Sequence, residues 1–170
     1  MTNQIFTSFK HLTFPGKDGC FELDQFLKVS TNPKIHYIGE NVRKWFLRDK
    51  VVIRPLGHEQ SITGCVLSTS ILPRNILLQF PNKDIFIPFQ ILRWLMKDEY
   101  SFLSKSGANI IFTKRKTDQK TVVLAICWES AKGWSFRGYE MDHIQKDGNT
   151  RLWFKGVQVI IPRTRLLSKI

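Results

Sequence analysis

Apolar positions along this chain come in short beats that switch between a period of two and a period near 3.6. The clearest example runs from Asn75 to Leu95. Leu77, Leu78 and Phe80 form an apolar segment, and Pro81 and Asn82 supply turn chemistry. Ile85 and Ile87 then alternate with Asp84 and Phe86, and Pro88 removes a ladder donor. Ile91, Leu92, Trp94 and Leu95 follow at helical spacing. The stretch predicts strand, turn, strand and helix.

The same beat returns near the C-terminus at an ungapped offset of 74 residues (138 − 64). It superimposes Ser61 on Ser135, Gly64 on Gly138, Asn75 on Asn149, Leu78 on Leu152 and Phe80 on Phe154. It also superimposes Ile87 on Ile161, Pro88 on Pro162 and Leu92 on Leu166. A weaker echo lies in the N-terminal part, where Ile38 matches Ile87 and Trp45 matches Trp94 at an offset of 49 (87 − 38).

The rest of the chain fits the same alternation. Residues 5–14 predict a strand, residues 20–29 one or two short strands, and residues 35–38 another. Glu40–Leu47 predicts a short helix with Val42, Trp45 and Phe46 inward. Val51, Val52 and Ile53 read as a buried strand, and residues 61–68 as a further one. The helix after Pro88 is expected to reach about Leu103. Ser104 to Gly107 is the expected boundary. Beyond it come a strand over 109–112, a basic tip over 113–120, and strands over 121–128 and 134–141. A turn at 146–149 leads to a hairpin of 152–154 with 157–161, and a helix from Pro162. The expected class is α+β, built from tandem repeats of antiparallel strands each followed by a helix. The expected units are 1–48 (degenerate), 49–104 and 107–170, the last a candidate dimerisation unit.

Composition narrows the function. The chain has 170 residues, 42% hydrophobic and 12% aromatic, enough for a substantial core. No apolar run reaches the roughly 18 residues of a spanning helix. The N-terminus shows no apolar secretory h-region. Cys20, Cys65 and Cys127 are widely spaced, which points to reduced thiols inside the cell. Lysine and arginine number 26 against 14 acids, a net charge of +12. Residues 1–106 hold 14 basic and 9 acidic side chains, and residues 107–170 hold 12 and 5, so the excess is denser towards the C-terminus. Such a charge favours polyanionic partners.

An antiparallel sheet covered by helices on one face leaves its other face open. Aromatic rings there stack on bases, and lysine or arginine neutralises phosphates. The candidates are Lys114, Arg115 and Lys116 on the tip, Lys132 and Arg137 on one hairpin, and Arg151, Trp153 and Lys155 on the next. Alternation places Arg151, Trp153 and Lys155 on one face, opposite Leu152 and Phe154. It groups Trp134 with Phe136 and Gly138 as core. Arg163 and Arg165 flank the expected last helix and are further phosphate candidates.

Catalytic signatures are poor. His11, His36, His58 and His143 are isolated, with no partner at metal spacing. Nucleophile-elbow, phosphate-loop and dinucleotide motifs are missing. The expectation is therefore a non-catalytic protein without metal or cofactor. It would bind single-stranded DNA or RNA, away from membranes, in the nucleus or another nucleic-acid-containing compartment. Two other readings stand beside it. Residues 51–67 also suit the start of a small Tudor-like barrel in a protein-interaction module, and Glu129 with Lys132 loosely suits a metal-dependent nuclease.

Glu129-Ser130-Ala131-Lys132-Gly133 followed by Trp134–Arg137, together with the Ile161-Pro162 and Ile87-Pro88 steps into helices, resembles the PUR repeat. The pattern is more distantly similar to the Whirly fold. The resemblance covers about residues 50–170. It implies single-stranded nucleic-acid binding through the sheet and pairing of repeats, with a homodimer completing an odd unit.

Overall fold

The structure is a computed structural model that describes residues 6–17, 19–28, 30–31, 34–80, 85–97, 102–143 and 150–155. The expected turns at 81–82 and 146–149, the second strand of the last hairpin, the final helix, and Arg163 and Arg165 lie outside those residues.

The class is α+β. The first third of the chain gives β1 (Phe6–Phe14), β2 (Phe21–Glu22), α1 (Leu23–Leu27), β3 (Ser30–Thr31), β4 (Lys34–Ile38) and α2 (Glu40–Phe46). Then come β5 (Val52–Ile53), β6 (Gln60–Leu67), α3 (Pro73–Leu77) and α4 (Phe89–Leu95). The last third gives β7 (Asn109–Lys114), β8 (Thr121–Glu129), β9 (Gly133–Tyr139) and β10 (Arg151–Lys155).

Among the described residues, eight strands form one sheet in the order β1-β6-β10-β7-β8-β9-β4-β3, and β2 pairs with β5 apart from it. The sheet is mixed rather than antiparallel throughout, because β10 runs parallel to β7 and β4 parallel to β9. Strands from all three expected units enter it.

Two local expectations change. Residues 20–29 were expected as strand, but Leu23, Phe26 and Leu27 fall at i, i+3, i+4 and bury one helical face as α1. Residues 75–80 were also expected as strand. Pro73 stands in the first turn of α3, where its missing N–H costs nothing, and Ile76 anchors the helix in the core. Ile85 and Ile87 are buried as expected, but they form an irregular extended bridge. The Ile87 amide donates to the Phe112 carbonyl at 3.1 Å, and the Lys155 amide donates to the Ile85 carbonyl at 3.3 Å. The helix after Pro88 ends at Leu95, with Met96 capping it, well short of Leu103.

Period-two alternation in the central strands feeds two cores, one on each side of the sheet. Ile111, Val122, Leu124, Ile126, Phe136 and Trp153 meet α1, α2 and α4 on one side. Ile110, Phe112, Val123, Leu152 and Phe154 meet Ile76 of α3, Phe80 and Ile85 on the other. The expected free face is therefore closed over the middle of the sheet. β10 shows why: it is an interior strand between β6 and β7, with cores above and below.

Trp153 lies directly across from Gly64 in the β10–β6 ladder. The one-hydrogen side chain of Gly64 makes room for the indole: a Cβ there would sit 2.7 Å from the ring. Gly138 does the same for Trp45 of α2, where a Cβ would sit 2.5 Å from the ring.

Candidate nucleic-acid interface

Parallel pairing of β10 with β7 brings the C-terminal ends of both strands to one edge of the sheet. Lys114 closes β7 and Lys155 closes β10. The β7–β8 turn adds Lys116. These three lysines share a groove of about 570 Å³ whose floor is apolar, formed by Phe46, Val51, Ile53, Phe86, Ile87 and Phe89, among others. Leu23 of α1 and Leu56 extend that floor, and Gln90 and Gln119 add amides to its wall.

The lysines are held in different ways. Lys114 is exposed, with its Nζ 5.0 Å from the Phe86 ring centroid, a cation–π contact that leaves the charge at the groove mouth. Lys116 has half of its side chain exposed and lies 3.9 Å from Asp49, a loose surface pair. Lys155 is half-buried and joins the wall from β10. Gln90 is anchored by its Nε2 donating to the Arg54 carbonyl at 2.6 Å.

Arg115 sits between two of these lysines but points elsewhere. Its Nε and Nη2 donate to both carboxylate oxygens of Asp118 at 2.9 and 2.6 Å, and its Nη1 donates to Glu140 at 2.9 Å. The guanidinium also lies over the Trp45 ring. Only 13% of the side chain is exposed. The hydrogen bond from Arg115, with the Arg115 and Lys120 charges adding to it, holds the Asp118 carboxyl below the usual aspartate range. Arg115 was expected to contact nucleic acid. It is instead the clamp of the turn, because three oxygens of Asp118 and Glu140 already take its donors. Gln119 adopts a positive φ of 56° and returns its Nε2 to the Arg115 and Lys116 carbonyls, tightening the same turn.

Trp153, the expected stacking residue, has no exposed surface. Its Nε1 donates to Asn109 Oδ1 at 3.2 Å, inside the core. The correction follows from strand position: alternation put Trp153 opposite Leu152 and Phe154 correctly, but both faces of an interior strand are covered. Arg151 starts β10 and Lys155 ends it, about 13 Å apart at the ordinary strand rise, so Arg151 does not reach the groove.

Lys132, in the β8–β9 turn, and Arg137, on β9, lie away from the groove. β9 lies three strand spacings from β10, roughly 14 Å. There Arg137 lies over the exposed Tyr37 ring at 5.9 Å, and Lys132 is 3.9 Å from Glu129. Lys105 lies over Trp128 at 4.3 Å. Trp134 is buried with Phe136 in the core. Of the ten expected contact residues, Lys114, Lys116 and Lys155 converge on one groove. Lys132 and Arg137 lie towards β9, Arg151, Trp153 and Arg115 are placed elsewhere, and Arg163 and Arg165 lie outside the described residues.

Phe86, Phe89, Gln90 and Gln119 complete the groove and were not singled out from sequence. A signal existed for two of them: Phe86 and Phe89 flank Pro88, and large aromatics beside a strand-ending proline mark a surface where the backbone leaves the sheet. Among the described residues, no three or more histidine, cysteine or acidic side chains gather as a metal site. Among them, no helix is long and apolar enough to cross a membrane. Compared with family models, curated proteins and solved structures, the chain matches none.

Proposed function

We propose that this chain is a non-catalytic single-stranded nucleic-acid-binding protein whose contact site is the groove of Lys114, Lys116 and Lys155. The observation that carries the reading is that convergence, three cations beside the half-buried rings of Phe86 and Phe89. Cations neutralise phosphates, and unstacked bases lie on rings, so the groove suits a strand whose bases are not already paired. The net charge of +12 supports a polyanionic ligand and salt-sensitive affinity.

The repeat architecture belongs to the same proposal. Its support is that Gly64 and Gly138, 74 residues apart, each lie under a tryptophan ring. Residues 75–80 stand against a strict repeat, since they coil into α3 and its following turn, whereas their counterparts Leu152 and Phe154 lie in β10.

Fluorescence anisotropy with labelled single-stranded and duplex oligonucleotides, over a salt series, tests the reading. Single strands are expected to bind more tightly than duplex, and the Lys114→Ala/Lys116→Ala variant to weaken them. Equal binding of both forms, unaffected by that variant, would reduce the site to a generally basic surface.

A further inference from the structure

We infer that the groove seats one nucleoside phosphate unit, with its phosphate on the lysines and its base in the apolar floor, rather than serving as a stretch of a long strand-binding track. The inference rests on the nucleic-acid reading and names the ligand of that same site.

Four features set the size and chemistry. The groove, at about 570 Å³, has the volume of a small-ligand site. Its cations are grouped rather than spread: Lys114 closes β7, Lys116 follows in the turn, and Lys155 closes the adjacent β10. Of the other expected cations among the described residues, Arg151 lies about 13 Å along β10 and Arg137 three strands across the sheet, while Arg115 is held by Asp118 and Glu140. A track would need phosphate contacts at successive nucleotides along one path, and the cations among the described residues do not line one up.

The remaining lining is suited to a base. Phe86 and Phe89 are half-buried, so each presents some ring surface to the groove, while Phe46 packs edge-on against Phe89 at 5.3 Å and backs it. Lys114 already lies over Phe86, so Phe89 is the ring left for stacking. Gln90 and Gln119 are both fixed through their NH₂ groups, to the Arg54 carbonyl and to the Arg115 and Lys116 carbonyls. Their amide oxygens are thereby turned away from those carbonyls, as acceptors for the amino or imino hydrogens of a base. Cationic, apolar and hydrogen-bond-accepting elements thus occur together, which a plain phosphate site or a plain lipid cleft would not need.

The test is a titration of the isotopically labelled protein followed by amide NMR shifts of residues 113–120. The probes are AMP, UMP, inorganic phosphate and decanoate, with a single-stranded oligonucleotide measured alongside. A mononucleotide is expected to bind at least tenfold more tightly than inorganic phosphate. Lys114→Ala/Lys116→Ala is expected to weaken it at least tenfold, and Phe89→Leu, which keeps the position apolar but removes the ring, to weaken it several-fold through lost stacking. Phosphate binding as tightly as mononucleotide would overturn the inference, since the floor would then contribute nothing. Decanoate binding more tightly than mononucleotide would overturn it in favour of an acyl ligand. An oligonucleotide that binds while both mononucleotides do not would overturn the inference and leave the strand-binding reading standing. Mononucleotide binding without oligonucleotide binding would keep the pocket and remove the strand-binding reading.

Discussion

Trp153 and Gly64 face each other across the β10–β6 ladder so closely that the glycine functions as the socket of the indole ring. The ring cannot retreat, because it is fully buried and its Nε1 is bonded to Asn109. Gly64→Ala is therefore expected to destabilise the fold by about 1–3 kcal/mol through overpacking. The loss should shrink when the partner is already smaller, as in Trp153→Leu, so the pair is expected to be non-additive in a double-mutant cycle read by urea unfolding. Additive losses would mean that the ring does not press on residue 64.

Asn109 is a second test of the same region. Its Oδ1 accepts from Trp153 Nε1 and the Ser104 amide, and its Nδ2 donates to the Ser104 and Ile126 carbonyls. Asn109→Ala would leave buried groups without partners, so a loss of about 1–3 kcal/mol for each orphaned group is expected. Protection of the Ser104 amide against hydrogen exchange should fall with it. An unchanged exchange rate would show that the side chain does not hold this loop.

The turn clamp should respond to acid. The Asp118 carboxyl is held below the ordinary value of 3.8, first by the hydrogen bond from Arg115. A depressed carboxyl contributes its stabilisation fully above the unfolded value and loses it as pH falls through the lower folded value. Loosening of residues 115–120 is therefore expected only below about pH 3.8. Asp118→Asn should loosen the turn at neutral pH and remove the acid step. Amide shifts of Gln119 and Lys120 followed against pH would check this, and an identical acid step in the variant would refute it.

Single substitutions should separate the lysines from Arg151. Each phosphate contact removed lowers the salt slope of binding by about one. That drop is expected for Lys114→Ala and Lys116→Ala, and no change is expected for Arg151→Ala. A drop for Arg151→Ala would place the ligand along β10 rather than in the groove.

Thiol reactivity reports whether the second core is closed. Cys20 is exposed, Cys127 is half-buried with its thiol pushed up first by burial, and burial pushes the Cys65 thiol up to about 12. Alkylation of the native protein at pH 8 should modify Cys20 first, Cys127 slowly and Cys65 only on unfolding. Peptide mass spectrometry would order the three. Labelling of Cys65 as fast as Cys20 would mean that the packing of Leu67, Phe80 and Phe154 around it is open.

Much of the strand pattern was legible because it is local. The continuous apolar runs of residues 109–112 and 121–128 mark buried strands, the alternation of Trp134, Phe136 and Gly138 marks the inward side of β9, and Val42, Trp45 and Phe46 mark the buried face of α2. The site was harder to read because it depends on strand order. Trp153 and Arg151 look like a surface pair if β10 is an edge, and only its place between β6 and β7 buries the ring. Lys155 joins Lys114 through a parallel pairing that no short-range pattern encodes. Arg115 resembles its basic neighbours in sequence, and the fold sets it apart by bringing Glu140 to it beside Asp118. Residues 75–80 misled because their apolar density suits strand and helix alike, and Pro73 decides the matter from outside the segment.

The pairing of β4 with β9 has a consequence for how the molecule is made. Ile35 meets Trp134, and 134 − 35 = 99 residues separate them. At a synthesis rate of about 5–20 residues per second, the ribosome needs about 5–20 s to deliver that partner. During that interval Ile35 and Ile38 have only the short β3 beside them, and β6, already able to pair with β1, has no β10 on its other side. The apolar edge of β4 is thus left unpaired by β9 until the last third of the chain emerges, and any pause in translation before residue 133 lengthens that exposure.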